Sequence, residues 1–415
     1  MKEYIKIITR SSFSYLWISQ ILSQVTVNMM NFLLLTRLFT ITGSSIATAL
    51  LWVTYALPSI FFGPIGAASV DIINKRKILM LTNLLQAASV VLLIFFQTQS
   101  IFLLYFVVLA YSFFNQFYVP AESASLVLVV DKKHLAGANS IFFITQQSAL
   151  IVGFGLGGIM ERLIGFNGSL ILCAAFLFVA FVSVSFLTDM KDKTKTSEGF
   201  EKLITKFFSS IVEGYHFIKS KKAVLYPLLL LLVLQVPLAI IIANLPIIGT
   251  QILKVGLSYS GLLVVVPAGI GAFIGSVIVP RELKNGVRKK ALIEIGLIFV
   301  GIAFFGLSLG VSFIPLIYRL IASIVLIIFA GIGYVLANIP ALTFLQETTP
   351  AEIRGRVFGN FWFMVTIITI FPVIFSGFIT EFLGVKLILF LMGAGCLAIF
   401  TYMYKSGNEL IENNF

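Results

Sequence analysis

Charged side chains are scarce in this sequence: Asp, Glu, Lys and Arg make up only 11% of its 415 residues. Soluble domains carry about a quarter. Hydrophobic residues reach 59%, and a soluble fold of this length has too little polar cover for so much apolar side chain. The composition therefore excludes a water-soluble globular protein. It predicts a chain whose solvent is the lipid bilayer, which a helix of roughly 20 apolar residues spans.

Cysteine and histidine are also rare, with two of each. Cys173 and Cys396 fall inside apolar runs, so a disulfide framework is not expected and both are predicted to be small apolar fillers. The sequence has no His-Glu-x-x-His run, no Cys/His cluster and no Gly-x-x-x-x-Gly-Lys-Ser/Thr stretch. We therefore expect no metal, no cofactor and no enzymatic activity; a membrane enzyme acting on a lipid is the weakest alternative.

Twelve apolar runs are long enough to cross a membrane, which predicts an all-α membrane protein. One long hydrophilic stretch near the middle of the chain divides them into six and six. The expected domains are an N-terminal six-helix bundle (1–188), a cytoplasmic linker (189–222) and a C-terminal six-helix bundle (223–415). The predicted spans are 13–37, 45–68, 77–97, 101–124, 141–163, 168–188, 223–247, 259–280, 290–310, 313–339, 357–380 and 384–404.

The basic residues favour one side of these spans. The formal net charge is +12, and with the N-terminus inside, most of the 29 Lys and Arg residues fall in inside segments. By the positive-inside rule, both termini are expected in the cytoplasm of a multi-pass protein of the plasma membrane. The charge sets topology, so no nucleic-acid partner is expected. The first apolar run lacks a small-residue cleavage site and is predicted to stay as the first helix.

The linker contains the pattern of an amphipathic helix. Apolar residues from Phe200 to Ile218 recur at spacings of three and four, flanked by Lys202, Lys206 and Lys219. Such a helix lies in the inner membrane interface, attracted by apolar burial and by anionic lipid. A helix that binds a partner protein is the alternative.

The two halves of the sequence resemble each other. Pro120-Ala121 ends the fourth span, and Pro340-Ala341 ends the tenth span 220 residues later. Gly63 in the second span matches Gly271 in the eighth at an offset of 208. Many transporters are built from a duplicated six-helix unit, with the substrate site between the halves near the bilayer midplane.

Three motifs stand at characteristic places in this twelve-span pattern. They are Gly63–Lys77 (GPIGAASVDIINKRK), Pro120-Ala121 with Leu135–Ser140 (LAGANS), and Gln346–Val357 (QETTPAEIRGRV). Through these motifs the sequence resembles the major facilitator superfamily and, within it, the macrolide-efflux-like drug-exporter branch. It departs from that branch at Tyr111, where an arginine is frequent, and in the glycine-rich run at 153–158, which lacks a proline.

The resemblance implies a cytoplasmic gate made by the first and third motifs. In this family the acid that matches Asp71 faces the start of the eleventh span, where arginines and the helix dipole favour a carboxylate. That contact would hold the two halves together on the cytoplasmic side. The alternative is that Asp71 only marks the end of the second span at the membrane surface. Small residues beside the acid let the second span approach a neighbouring helix closely. The expected gating residues are Gly63, Asp71, Lys75, Arg76, Arg354 and Arg356.

Amides within spans mark the expected substrate cavity, because an amide in lipid is costly unless it faces a partner or water. The resemblance implies that spans 1, 4, 7 and 10 line this cavity. Hydrogen bonding between helices is the alternative role for each residue. The expected cavity residues are Gln20, Gln24, Asn28, Gln116, Gln235 and Asn338.

Proton coupling needs an ionisable residue inside the membrane, and the candidates are Glu122, Glu294 and Arg319. Glu122 is favoured, since a carboxyl removed from water favours its protonated form and can exchange a proton between states. A structural role at headgroup level is the alternative.

The sequence thus predicts a secondary transporter that exports small amphipathic or hydrophobic compounds of the drug or macrolide type. Its expected partners are a small-molecule substrate, membrane lipids and protons, and it is expected to act as a monomer. A lysophospholipid or other lipid flippase of the same superfamily is one alternative. A non-transporting sensor on a transporter scaffold is another.

Overall fold

The structure, a computed structural model, describes residues 8–96, 100–131, 134–188 and 200–411. In that part of the chain the regular secondary structure is helical, without a strand. Short helical turns connect α7 to α8 and α9 to α10. The long helices are α1 (Ser11–Thr42), α2 (Ser45–Ile72), α3 (Lys75–Phe95), α4 (Ile101–Val129), α5 (Leu135–Ser185), α6 (Phe200–Ser220), α7 (Lys222–Ala243), α8 (Ser260–Lys284), α9 (Lys289–Ser308), α10 (Leu316–Thr348), α11 (Ala351–Leu383) and α12 (Val385–Ile411).

Helix α5 contains two membrane spans. Its apolar stretch Gly137–Ser185 has 49 residues. As one continuous helix this stretch would measure about 74 Å, more than twice the roughly 30 Å hydrocarbon core. Gly165 interrupts it with φ 73° and ψ 175°, a conformation open to glycine because it has no Cβ. Within the described residues, eleven helical segments are apolar and long enough to span a membrane, and α5 contains two spans. The predicted all-α membrane protein with twelve spans is confirmed.

The seventh span ends earlier than predicted. The sequence pattern extends it to residue 247, whereas α7 ends at Ala243. Asn244 binds its own helix and α11, because its Nδ2 donates to the Ile240 carbonyl and to the Ser376 hydroxyl, both at 3.0 Å. Pro246 then supplies no backbone donor. The chain therefore leaves the regular helix through a π-helical turn, Ile248–Leu253.

The described residues form two compact units. Unit 1 lies within 1–42 and 53–209, and unit 2 within 43–52 and 210–415. In unit 1, α1 packs along α5, and α3 packs on both α4 and α5. In unit 2, α10 packs against α7, α8 and α9, and α9 packs against α12. Each unit has its own apolar core.

Glycines allow close helix crossings in both units. A Cβ at Gly66 of α2 would lie 2.0 Å from the Gln116 carbonyl oxygen of α4. A Cβ at Gly271 of α8 would lie 2.1 Å from the Ile328 carbonyl oxygen of α10. Backbones that approach this closely gain van der Waals contact, which is the main attraction between helices in lipid.

Candidate transport and coupling site

A buried polar cluster lies in unit 1 where α1, α3 and α4 meet. Its members are Ser19, Asn83, Tyr118 and Glu122, and all four are buried. Asn83 Nδ2 donates to Ser19 Oγ at 3.1 Å, and Ser19 Oγ lies 3.2 Å from the Tyr118 hydroxyl. The Glu122 carboxyl lies close to the Tyr118 hydroxyl, one turn away on α4. A hydrogen-bonded chain therefore connects α3, α1 and α4 and ends beside one carboxyl group.

The Glu122 carboxyl is incompletely satisfied. The side chain is 6% exposed, and its Oε1 makes no hydrogen bond within the described part of the chain. An ionised carboxyl that is buried without a cation or a full set of donors is costly, so the neutral carboxyl suits this site best. The arrangement can hold a proton within a transmembrane helix.

A proline interrupts the backbone hydrogen bonding of α4 between its two polar residues. Tyr118 and Glu122 are one turn apart and therefore share a face. Pro120 between them has no N–H for the Gln116 carbonyl, four residues earlier. That carbonyl is the atom against which Gly66 of α2 packs. The proline thus weakens the helix locally at the point where α2 crosses it.

Two of the three predicted cavity amides on α1 donate hydrogen bonds within unit 1. Gln20 is buried, and its Nε2 donates to the Phe142 carbonyl of α5 at 3.2 Å. Gln24 is also buried, and Asn28 Nδ2 donates to the Gln24 carbonyl at 2.8 Å. Gln20 therefore binds a neighbouring helix and Asn28 its own; a place for either in a substrate cavity stays a prediction.

Gln116 also binds its own helix, since its Nε2 donates to the Ser112 carbonyl at 3.1 Å. Its side chain is half-buried. Half-burial and a single local hydrogen bond leave the amide available for a further contact, so its cavity role also stays a prediction.

The predicted cavity amides of unit 2 form a smaller, neutral cluster. Gln235 of α7 lies close to the Tyr334 hydroxyl. Asn338 Nδ2 donates to the same hydroxyl at 3.3 Å, one turn along α10. Gln235 and Asn338 are both half-buried. The structure therefore brings together these two residues, which lie a hundred residues apart in sequence, through a tyrosine that the sequence analysis did not single out.

The other two predicted coupling residues have local surroundings. Glu294 Oε1 lies 3.8 Å from Lys290 Nζ, one turn away on α9. Arg319 donates from NH2 to the Ser312 and Ile314 carbonyls, at 3.3 Å and 3.5 Å. Arg319 thus supports the turn before α10. Of the three candidates, Glu122 is the one that belongs to a buried polar chain across helices.

The first gating motif lies at the end of α2 and the start of α3. The side chain of Asp71 lies outside the described residues, so its predicted contact with the start of the eleventh span stays a prediction. Lys75 is buried, and Arg76 donates to the Ser185 carbonyl at the end of α5. A Cβ at Gly63 would touch the Gln116 side chain at 4.0 Å.

The second gating motif lies at the start of α11. Arg354 donates from NH2 to the Gln346 and Thr349 carbonyls, at 3.1 Å and 3.3 Å, which closes the turn between α10 and α11. Arg356 forms an ion pair with Glu213 of α6. Both arginines therefore have partners in unit 2, and the second anchors the linker helix; their gating role stays a prediction.

Several polar residues of these clusters were missed in the sequence. Asn83 is an amide within a predicted span and carries the signal used for the other amides, whereas Ser19 and Tyr118 are common in apolar helices. Glu381 was also missed. Its Oε2 accepts from Ser45 N at 2.6 Å and from Ser44 Oγ at 3.0 Å, so it caps the start of α2 where the helix dipole favours an anion.

The sequence pattern of the Major Facilitator Superfamily matches residues 16–372, which is most of the chain. The chain belongs to the major facilitator superfamily. It is therefore a multi-pass membrane transporter with a small-molecule substrate.

Its curated relatives come from Bacillus subtilis (strain 168). The uncharacterized MFS-type transporter YfiS is 27% identical over 366 residues, with 87% of this chain and 84% of YfiS covered. The uncharacterized MFS-type transporter YfmI is 24% identical over 411 residues, with 93% and 94% covered. Both align along nearly the whole superfamily fold.

Solved transporter structures share this fold. The nucleoside transporter NupG has a TM-score of 0.73 at 12% identity, with 95% of this chain and 99% of NupG covered. A bacterial homolog of the human lysosomal transporter Spinster has a TM-score of 0.70 at 14% identity, with 98% and 86% covered. These likenesses support the superfamily architecture and leave the substrate to be argued from the site.

Proposed function

We propose that this superfamily member exports small amphipathic or hydrophobic compounds across the plasma membrane in exchange for protons, as a monomer with alternating access. The observation that carries the proposal is the buried Glu122 carboxyl, at the end of the Asn83–Ser19–Tyr118 chain. A carboxyl within a transmembrane helix is expensive and marks a site of ion or proton coupling.

Coupling follows from the mismatch between the ionised carboxyl and its dry surroundings. Protonated Glu122 suits the closed packing of α1, α3 and α4, whereas ionised Glu122 requires water or a cationic cargo beside it. A conformation that admits water from the inside releases the proton, and one that admits water from the outside takes it up. One proton then moves inward for each outward movement of cargo.

The chemistry of the cargo follows from the polar groups that each unit offers. The polar clusters of the two units offer amides and phenol hydroxyls, and Glu122 is their one acidic member. Such surfaces suit apolar compounds with a few hydrogen-bonding groups and, at Glu122, a positive charge. These features support drug-type or macrolide-type efflux.

The test uses purified protein in liposomes that contain a pH-sensitive dye. A proton gradient is imposed, and lipophilic cations, macrolides and lysolipids are added in turn. We expect a drug-like compound to trigger proton movement, and Glu122→Gln to abolish it. Glu294→Gln is the matched control, because Glu294 lies beside Lys290 in a local pair and should retain coupling.

Three other outcomes would contradict the proposal. Cargo movement that does not depend on the proton gradient would exclude proton antiport. Movement of lysolipids alone would favour a lysophospholipid flippase of the same superfamily. Binding of compounds without any transport would favour a sensor on a transporter scaffold.

A further inference from the structure

An apolar groove lies between α11 and the part of the linker helix α6 that follows residue 210, and all of its lining residues belong to unit 2. Its volume is about 300 Å³. One residue that lines it, Asn360, is buried and donates from Nδ2 to the Ile211 carbonyl, so its polar group is occupied by the linker helix. The other lining side chains are apolar or aromatic and include Ile211, Val212, Tyr215, Phe363, Ile367 and Ile368.

The groove faces the surroundings of the protein instead of its core. Val212 and Tyr215 of α6 are about half exposed, and so are Ile367 and Ile368 of α11. The membrane span of α11 covers Ile353–Leu383. The lining residues of α11 therefore lie about 10 to 22 Å beyond the start of that span, at the depth of lipid chains.

The end of the groove nearest the membrane surface is held by polar contacts. Arg356 at the start of α11 pairs with Glu213 of α6. A Cβ at Gly214 would lie 2.2 Å from Asn360 Nδ2 and 3.1 Å from the Arg356 carbonyl oxygen, so α6 and α11 are closely packed at this point. These contacts thus close one end of the groove with α6, the helix predicted to lie at the membrane interface.

The surface of α6 beside the groove carries positive charge. Lys219 follows Val212 by seven residues and Tyr215 by four, which places it on the groove side of α6 one turn further on. Lys221 and Lys222 come directly after, and all three lysines are exposed. The nearby acid, Glu213, is already paired with an arginine. An anionic group at headgroup level is the matching partner.

We propose that this groove binds an anionic phospholipid of the inner leaflet, with one acyl chain beneath α6 and the phosphate beside Lys219. Apolar burial holds the chain, and basic residues at the membrane surface select the headgroup. The bound lipid fills the space between the linker helix and the bundle. The site is lined by α6 and α11 alone, so the proposal does not depend on the nature of the transported cargo.

Photo-crosslinking of the full chain in phosphatidylcholine nanodiscs tests this assignment. The probe is a trace of phosphatidylglycerol with a diazirine on its acyl chain, and labelled peptides are mapped by mass spectrometry. We expect labels to concentrate at 211–215 and 363–368. Unlabelled phosphatidylglycerol should displace them, and Lys219→Gln should weaken that displacement by about fivefold, the contribution of one basic residue near the surface.

A large side chain placed in the groove should compete with the lipid, and the same substitution outside the groove is the control. Ile367→Trp should remove the labelling, while Ile321→Trp, at a 62% exposed isoleucine on α10, should leave it unchanged. Val212→Trp is a second filling variant if Ile367→Trp fails to fold. Labelling spread over all exposed helices, or equal displacement by phosphatidylcholine, would overturn the proposal.

Discussion

The two units place similar residues on similar helices and give them different chemistry. In unit 1, α4 carries Tyr118 and Glu122 one turn apart, and a buried chain leads from them to α1 and α3. In unit 2, α10 carries Tyr334 and Asn338 one turn apart, and the tyrosine reaches α7 through Gln235. One cluster ends in an acid and the other in an amide.

The two units differ most at the position of Glu122. The offset of 220 that relates the fourth and tenth spans matches Glu122 with Leu342, and Tyr118 with Asn338. The scaffold is thus repeated while the ionisable group is present in one copy. In the proposed mechanism, unit 1 carries the proton and unit 2 offers neutral hydrogen-bonding groups.

The largest expected effect tests the shared scaffold. Gly66→Ala in unit 1 and Gly271→Ala in unit 2 should each destabilise the protein by about 3 kcal/mol, because each Cβ would overlap a backbone carbonyl. Thermal unfolding in detergent measures this. Gly395→Ala is the control, since nothing lies within 4 Å of an added Cβ there. A Gly66→Ala protein as stable as that control would contradict the close crossing.

The next effect separates the two tyrosines. Tyr118→Phe removes the phenol hydroxyl that lies close to the acid, and a hydrogen bond to a charged group contributes about 1.5 kcal/mol. The pH profile of transport should therefore move upward by about one unit, because the ionised carboxylate loses a donor. Tyr334→Phe removes the partner of the neutral Asn338 amide and should leave the profile in place. Transport rates measured in proteoliposomes across a pH series decide this. Equal shifts in both variants would contradict a coupling role confined to unit 1.

The smallest effect concerns the neutral cluster itself. Gln235→Ala and Asn338→Ala should each raise the KM for cargo about fivefold, which corresponds to a neutral hydrogen bond of about 1 kcal/mol. The pH profile should not change. Thr401→Ala, which removes an exposed hydroxyl bonded to its own helix, is the control. A shifted pH profile in either amide variant would assign proton coupling to unit 2 as well.

The sequence predicted the favoured coupling residue but not its surroundings. Glu122 was found because a carboxylate in a transmembrane span is rare. Its partners Ser19 and Tyr118 carry no such signal, since hydroxyl side chains are common in apolar helices. The sequence also did not show which face of a helix contacts which neighbour, because lipid-facing and core-facing surfaces are equally apolar in a bilayer.

By itself, the sequence determined the environment and the number of spans. Apolar length fixes how often the chain crosses the bilayer, and a glycine such as Gly165 permits the break between two spans. The tertiary structure alone decided which polar groups meet: Asn83 with Ser19, Tyr118 with Glu122, and Glu381 with the start of α2. These pairings depend on helix rotation and crossing, which close packing sets and hydropathy does not record.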